Sequence, residues 1–149
     1  HVLKGYWNQP EATNEAIRDG WFHTGDGGYI DENNYVTIAD RKKDVIISGG
    51  ENVSSIEVED VLFAHEQVTE VAVIGVPDEK WGETVKALVV IEGEISEKEL
   101  IEFCRSKLAH YKCPTSIEFR DELARTATGK LQKYKLRAPY WEGHEKLVN

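Results

Sequence analysis

Three short stretches of this chain combine residue types that could handle anions. The first runs from Asp40 to Asn52, D-R-K-K-D-V-I-I-S-G-G-E-N. It gathers Arg41, Lys42 and Lys43 ahead of an apolar β-type segment, Val45-Ile46-Ile47, and closes on Gly49-Gly50. Glycine lets another molecule approach the main chain closely and adopts backbone angles that other residues avoid. A basic entry, a short strand and bare backbone fit an anion site beside a substrate passage. They also fit an edge strand with solvated charges and a turn. The second stretch, Ala124-Arg125-Thr126-Ala127-Thr128-Gly129-Lys130-Leu131, presents Lys130 on a loop of small polar residues. It is not the nucleotide-binding P-loop, which needs a glycine where Ala124 stands and Ser or Thr where Leu131 stands. The third is Asp26, between Gly25 and Gly27. It reads as a turn former, or as a carboxylate held on a tight loop to accept hydrogen bonds from a sugar diol.

The elements that must carry these groups follow from pattern. A short helix over Glu11–Arg18 ends at Asp19-Gly20. Gly28–Ile30 and Tyr35–Ile38 flank the polar run Asp31–Asn34 as a β-hairpin. Ser54 with Glu57, and Ser96 with Glu99, have capping-box spacing. They start helices over Ile56–Ala64 and Glu97–Leu108, the second burying Leu100, Ile101, Cys104 and Leu108. The β-branched runs Val68–Val76 and Val85–Ile91 read as antiparallel strands joined by the loop Pro77–Gly82, and Ser116–Phe119 as a third strand. Gln132–Arg137 reads as a basic helical turn. The implied fold class is α+β, helices packed on a three-stranded sheet, with a β-hairpin segment before it.

Bulk properties exclude several roles. The chain has 149 residues, 40% of them hydrophobic, enough for one ordinary domain with an appendage. A net charge of −9 argues against a broad nucleic-acid surface. No apolar run reaches the roughly 20 residues of a transmembrane segment. The two cysteines, Cys104 and Cys113, match no zinc or redox spacing, which implies free thiols and a reducing, cytoplasmic setting. The five histidines show no paired metal spacing, so no metal ligand is assigned. A start at His1 rather than methionine fits a piece of a longer protein.

Taken together, the motifs resemble the adenylate-forming superfamily, and within it the fatty-acid or short-to-medium-chain acyl-CoA synthetases. The matching segments are Gly20–Asp26, Asp40–Asp44 with Ile47–Asn52, Trp81-Gly82-Glu83 and Arg125–Lys130, in the family's order and spacing. The resemblance implies that residues 1–40 end a large N-terminal AMP-binding domain. It makes 41–43 a hinge centred on Lys43, and 44–149 a small mobile C-terminal lid. The family's phosphate loop and acyl pocket are not in this segment, so it implies a C-terminal fragment that is inactive alone.

The implied chemistry has two steps. A carboxylic acid attacks the α-phosphate of ATP, giving acyl-adenylate and pyrophosphate; the thiol of coenzyme A then displaces AMP. The resemblance gives Lys130 the adenylation step, Asp26 the ribose hydroxyls and Arg41 the nucleotide. Gly50, Trp81 and Tyr111 become coenzyme A contacts. Mg2+ is implied by ATP use, with no ligand in this segment. Two departures stand out: Ala124 replaces a frequent proline, which would loosen the lysine loop, and Cys113 replaces an arginine of some relatives, for which Lys112 could compensate. The partners implied are the acid, ATP, coenzyme A and the N-terminal domain of the same enzyme. Two alternatives remain at this point: an adenylation domain that loads a carrier-protein thiol, and a noncatalytic α+β interaction module.

Overall fold

The computed structural model describes residues 2–144. It forms two compact units that meet in sequence between Lys42 and Lys43.

The first unit begins with α1 (Pro10–Ala16), which carries proline at its start. The expected run to Arg18 stops short. Ile17 turns extended, and β1 (Ile17–Arg18) pairs with β2 (Trp21–Phe22). Asp19 and Gly20 bridge them at φ 53° and 81°. A two-residue hairpin loop with both residues at positive φ matches the strand twist, so the Asp-Gly pair makes a turn rather than a helix cap. The second hairpin, β3 (Asp26–Ile30) with β4 (Val36–Arg41), forms as expected. Its turn is tied by Asp31 Oδ1, which accepts the N–H groups of Asn33 and Tyr35 at 2.9 Å each. Among the described residues of this unit only Asp40 is buried. Tyr29, Ile30, Tyr35, Val36 and Ile38 lie open to solvent, so the unit has no apolar core of its own.

The second unit is α+β, with a wider sheet than the three strands expected. In chain order it contains β5 (Ile46–Ser48), β6 (Glu51–Val53), α2 (Ser55–Phe63), β7 (Val68–Asp78) and β8 (Gly82–Ile91). Then come α3 (Glu97–Arg105), β9 (Ser116–Phe119) and α4 (Lys133–Trp141). The strand order is β6-β5-β8-β7, with β9 pairing parallel to β8. β5 is the short strand expected at Val45–Ile47, here joined to the sheet, and β6, at three residues, is too short for alternation to show in sequence. β7 and β8 form the long antiparallel pair. β7 also continues through Pro77, where the sequence predicts a loop. The reason is parity: Val73, four residues earlier, turns its N–H outward to the Glu59 carboxylate at 2.7 Å, so Pro77 faces the same open edge and no ladder bond is lost.

Both faces of the sheet are covered. α2 and α3 bury Val58, Leu62, Leu100 and Cys104 against Val73, Val85 and Val89. The opposite-facing residues Ala72, Ile74, Val76 and Leu88 pack with Leu123 and Leu136, the latter from α4. Each large aliphatic side chain buried this way contributes roughly 1.5–3 kcal/mol. The Ser96–Glu99 capping box forms in full and starts α3. Ser54 caps α2 by accepting the Glu57 N–H at 3.3 Å.

Candidate functional site

In the first unit, β3 and β4 set Asp26 directly opposite Arg41. Arg41 Nε lies 3.6 Å from Asp26 Oδ1. The end of the pair is fixed by two further bonds: Lys42 N–H to the Gly25 carbonyl at 2.9 Å, and Asp26 N–H to Thr24 Oγ1 at 3.1 Å. Asp26 and Lys42 line a cavity of about 780 Å³ with His23, Thr24 and Gly25. A carboxylate has about four lone-pair sites, so Asp26 retains acceptors for a diol while Arg41 and Lys42 supply positive charge.

In the second unit, Lys130 is exposed on a hairpin closed by an Arg125–Leu131 bridge. Sequence alone reads this loop as mobile, yet its backbone is densely bonded. Thr126 N–H reaches the Lys130 carbonyl at 2.8 Å, Gly129 N–H reaches the Thr126 carbonyl at 2.9 Å, and Lys130 N–H reaches Thr126 Oγ1 at 3.0 Å. Arg125 clamps the hairpin to β7, giving Glu70 Oε2 two bonds at 2.6 and 3.0 Å and the Gly129 carbonyl a third at 2.9 Å. Behind it, Lys133 Nζ is half-buried between Glu59 Oε1 at 2.7 Å and Ser55 Oγ at 2.6 Å. Four residues on, Arg137 Nη1 donates to the Lys43 carbonyl at 2.9 Å and lies 4.0 Å from Asp44.

Gly49 and Gly50 form the β5–β6 turn at φ 60° and 88°. A side chain at Gly49 would press on Trp81, whose Cε3 would lie 2.8 Å from the new Cβ; at Gly50 it would meet nothing within 4 Å. The Trp81 loop is itself tied by Asp78 Oδ1, which accepts the N–H groups of Lys80 and Trp81 at 2.9 and 2.8 Å. Gly50 and Trp81 thus share one groove of about 780 Å³, closed on its far side by Tyr140, Trp141 and His144.

The match to the model of the AMP-binding enzyme C-terminal domain covers residues 57–130. Residues 57–130 belong to the AMP-binding enzyme C-terminal domain family. It is 51% identical over 140 residues to a long-chain-fatty-acid–CoA ligase of Mycobacterium tuberculosis, covering 93% of this chain and 28% of that protein. Among solved structures it is similar to the ATP-bound MatB of Rhodopseudomonas palustris, with a TM-score of 0.87, 43% identity, and coverage of 97% of this chain and 29% of that one. It is also similar to the o-succinylbenzoate coenzyme A synthetase of Bacillus subtilis in complex with an acyl-adenylate, with a TM-score of 0.86, 41% identity, and coverage of 91% and 28%. The chain therefore spans under a third of these relatives.

Within each unit the structure brings together some of the expected site residues. Asp26 and Arg41 are brought together, and so are Gly50 and Trp81. Tyr111 is half-exposed on the turn His110–Lys112 and lines neither cavity. Lys112, beside it, is held by Glu57 with both oxygens at 2.7 Å, and that pairing raises its pKa. Cys113 is buried, its thiol turned to the Leu108 and Ala109 carbonyls; burial raises its pKa. It does not present a group to solvent as an arginine would. The Arg125–Glu70 clamp and the Lys133–Glu59 pair are missing from the sequence reading, because their partners lie 55 residues away in one case and 74 in the other. Arg125 was part of the motif; nothing local marks Glu70. Among the described residues no cluster of three or more His, Cys, Asp or Glu could hold a metal ion. No helix among them is long and apolar enough to cross a membrane.

Proposed function

We propose that this chain is the C-terminal part of an ATP-dependent acyl-CoA ligase. In this reading residues 1–40 finish the nucleotide-binding domain, 41–43 are the hinge around Lys43, and 44–149 are the lid. Asp26 accepts hydrogen bonds from the ribose hydroxyls and Arg41 contacts the nucleotide. Lys130 brings an ammonium to the meeting of two anions, the substrate carboxylate and the α-phosphate, and offsets charge that grows in the transition state. In the second step Gly50 leaves the thiol passage open and Trp81 packs along the coenzyme; Tyr111 is the weakest of the three coenzyme assignments, since it stands apart from the groove. Mg2+ would accompany ATP through ligands outside this segment. Support comes from the names of the relatives, which include coenzyme A ligases, an ATP complex and an acyl-adenylate complex.

The observation that carries this reading is that two chemically different features are braced separately on one unit. The Lys130 hairpin is clamped at Glu70, near the start of β7, and the Gly49-Gly50 turn rests on Trp81, just beyond the strand's end at Asp78. Glu70 and Asp78 are eight residue steps apart along the strand, about 26 Å at ~3.3 Å per residue. The test uses the intact parent enzyme with ATP, coenzyme A and a panel of carboxylic acids. The expected products are AMP, pyrophosphate and an acyl-CoA thioester. Thioester formed only on a carrier protein would move the assignment to the carrier-loading enzymes, and no acid-dependent release of pyrophosphate would overturn it.

A further inference from the structure

Glu83 is a carboxylate almost wholly buried on the core face of the sheet, 6% exposed. Room for it is made by Gly75 on the neighbouring strand: a methyl group there would collide with the Glu83 carboxylate and crowd Ile46 Cγ2. The attachment of the β5–β6 hairpin to β8 is otherwise slight. The two strands share a single register pair, Ser48 with Gly82, and Gly49 N–H bonds the Trp81 carbonyl at 2.9 Å beside it. Past that point the strands diverge, and Ile47 N–H is met by Glu83 Oε2 at 3.4 Å. A side-chain oxygen stands in for the ladder carbonyl.

We propose that Glu83 is a positioning residue: its buried carboxylate holds the Ile47 main chain and so sets the angle of the β5–β6 hairpin and the place of the Gly49-Gly50 turn. This rests on the reading of that turn as the wall of the coenzyme thiol passage. Gly75 is then small so that the carboxylate fits; Glu83 also borders the groove of Gly50 and Trp81, and the role proposed for it is to hold the hairpin. A buried acceptor that replaces a strand partner costs desolvation, and the bond to the Ile47 N–H, held while the hairpin keeps its angle, offsets part of that cost.

The experiment compares Glu83→Ala and Glu83→Gln in the full-length enzyme. Pyrophosphate release and thioester formation from premade acyl-adenylate are measured separately, with hydrogen exchange over residues 46–53. In Glu83→Ala the ratio of thioester formation to adenylation should fall about tenfold, as expected for losing one positioning hydrogen bond, with a raised KM for coenzyme A. Exchange over 46–53 should quicken by a similar factor. Glu83→Gln retains an acceptor oxygen and should recover most of the ratio. An unchanged ratio with unchanged exchange in Glu83→Ala, or an equal loss of both half-reactions in Glu83→Gln, overturns the proposal. Gly50→Leu separates the two layers. If it blocks thioester formation while Glu83→Ala does not, the passage stands and the positioning role fails. If it spares thioester formation, the passage reading itself fails, and the exchange data still decide whether Glu83 holds the hairpin. Should Glu83→Ala not accumulate as folded enzyme, the ratio and the exchange in Glu83→Gln decide the outcome alone.

Discussion

The lysine hairpin and the glycine turn are both tight β-turn structures on the second unit, and they are held in opposite ways. The lysine hairpin is fastened at the surface by charge: Arg125 to Glu70, then the partly buried Lys133 to Glu59 behind it. Lys130 itself is exposed beside this bracing. The glycine turn is fastened by main chain, by an aromatic ring and by a buried carboxylate, and the relevant feature is a missing side chain. A group that must carry charge to a reaction needs a stiff stem and a free tip, whereas a passage needs stiff walls and nothing between them. On the proposed function, mutation should separate the two for that reason.

The largest expected effect is on the lysine side. Lys130→Ala in the full-length enzyme should slow adenylation by roughly 10²–10³-fold while thioester formation from premade acyl-adenylate is largely spared. Pyrophosphate release against single-turnover thioester formation reads this directly, and equal loss of both erases the contrast between the two regions. Next, Gly50→Leu should slow thioester formation by roughly 10²-fold, since obstruction at the reacting thiol acts like misplacement. The left-handed backbone at Gly50, φ 88°, adds about 1–2 kcal/mol of strain for a leucine, so melting temperature must be followed alongside.

A smaller effect tests the bracing itself. Arg125→Ala removes the clamp on Glu70 but leaves Lys130 in place. Adenylation should drop about tenfold through looser positioning. Stability should change by less than about 1 kcal/mol, because the pair is solvent-exposed. A loss of thioester formation of the same size would show that the hairpins are not independent.

The smallest concerns the far end of α4. Tyr140 donates to the Glu118 carboxylate, and this bond, with Arg120 and Lys86 nearby, holds the Glu118 pKa below its usual 4.5. A depressed carboxylate stabilises the fold above its unfolded pKa, and that contribution is lost as pH falls through the folded value. Tyr140→Phe should therefore speed hydrogen exchange of α4 near neutral pH by about fivefold, about 1 kcal/mol once the partial exposure of Glu118 is discounted. The gap from the unsubstituted enzyme should narrow below pH 4.5. A gap that widens on acidification would mean that the carboxylate is not what docks the helix.

The amino-acid sequence alone determined the local choices. Ser96 and Glu99 cap a helix wherever they sit, β-branched runs become strands, and the order of the motifs carries the family resemblance. It also put Lys130, Gly50, Asp26 and Arg41 forward from the make-up of their stretches, while Trp81, and the roles expected of all five, came from the family resemblance. Where a pattern was ambiguous locally, as at Asp19-Gly20 and Pro77, the sequence reading chose a helix end and a loop where the structure has a hairpin turn and a strand. Only the tertiary structure decided the rest: the width of the sheet, the pairing of Arg125 with Glu70, the burial of Cys113, the isolation of Tyr111 and the use of Glu83 as a strand partner. These depend on which distant residues meet, and no spacing along the chain encodes the distance between a carboxylate at 83 and an N–H at 47 until the sheet brings them together.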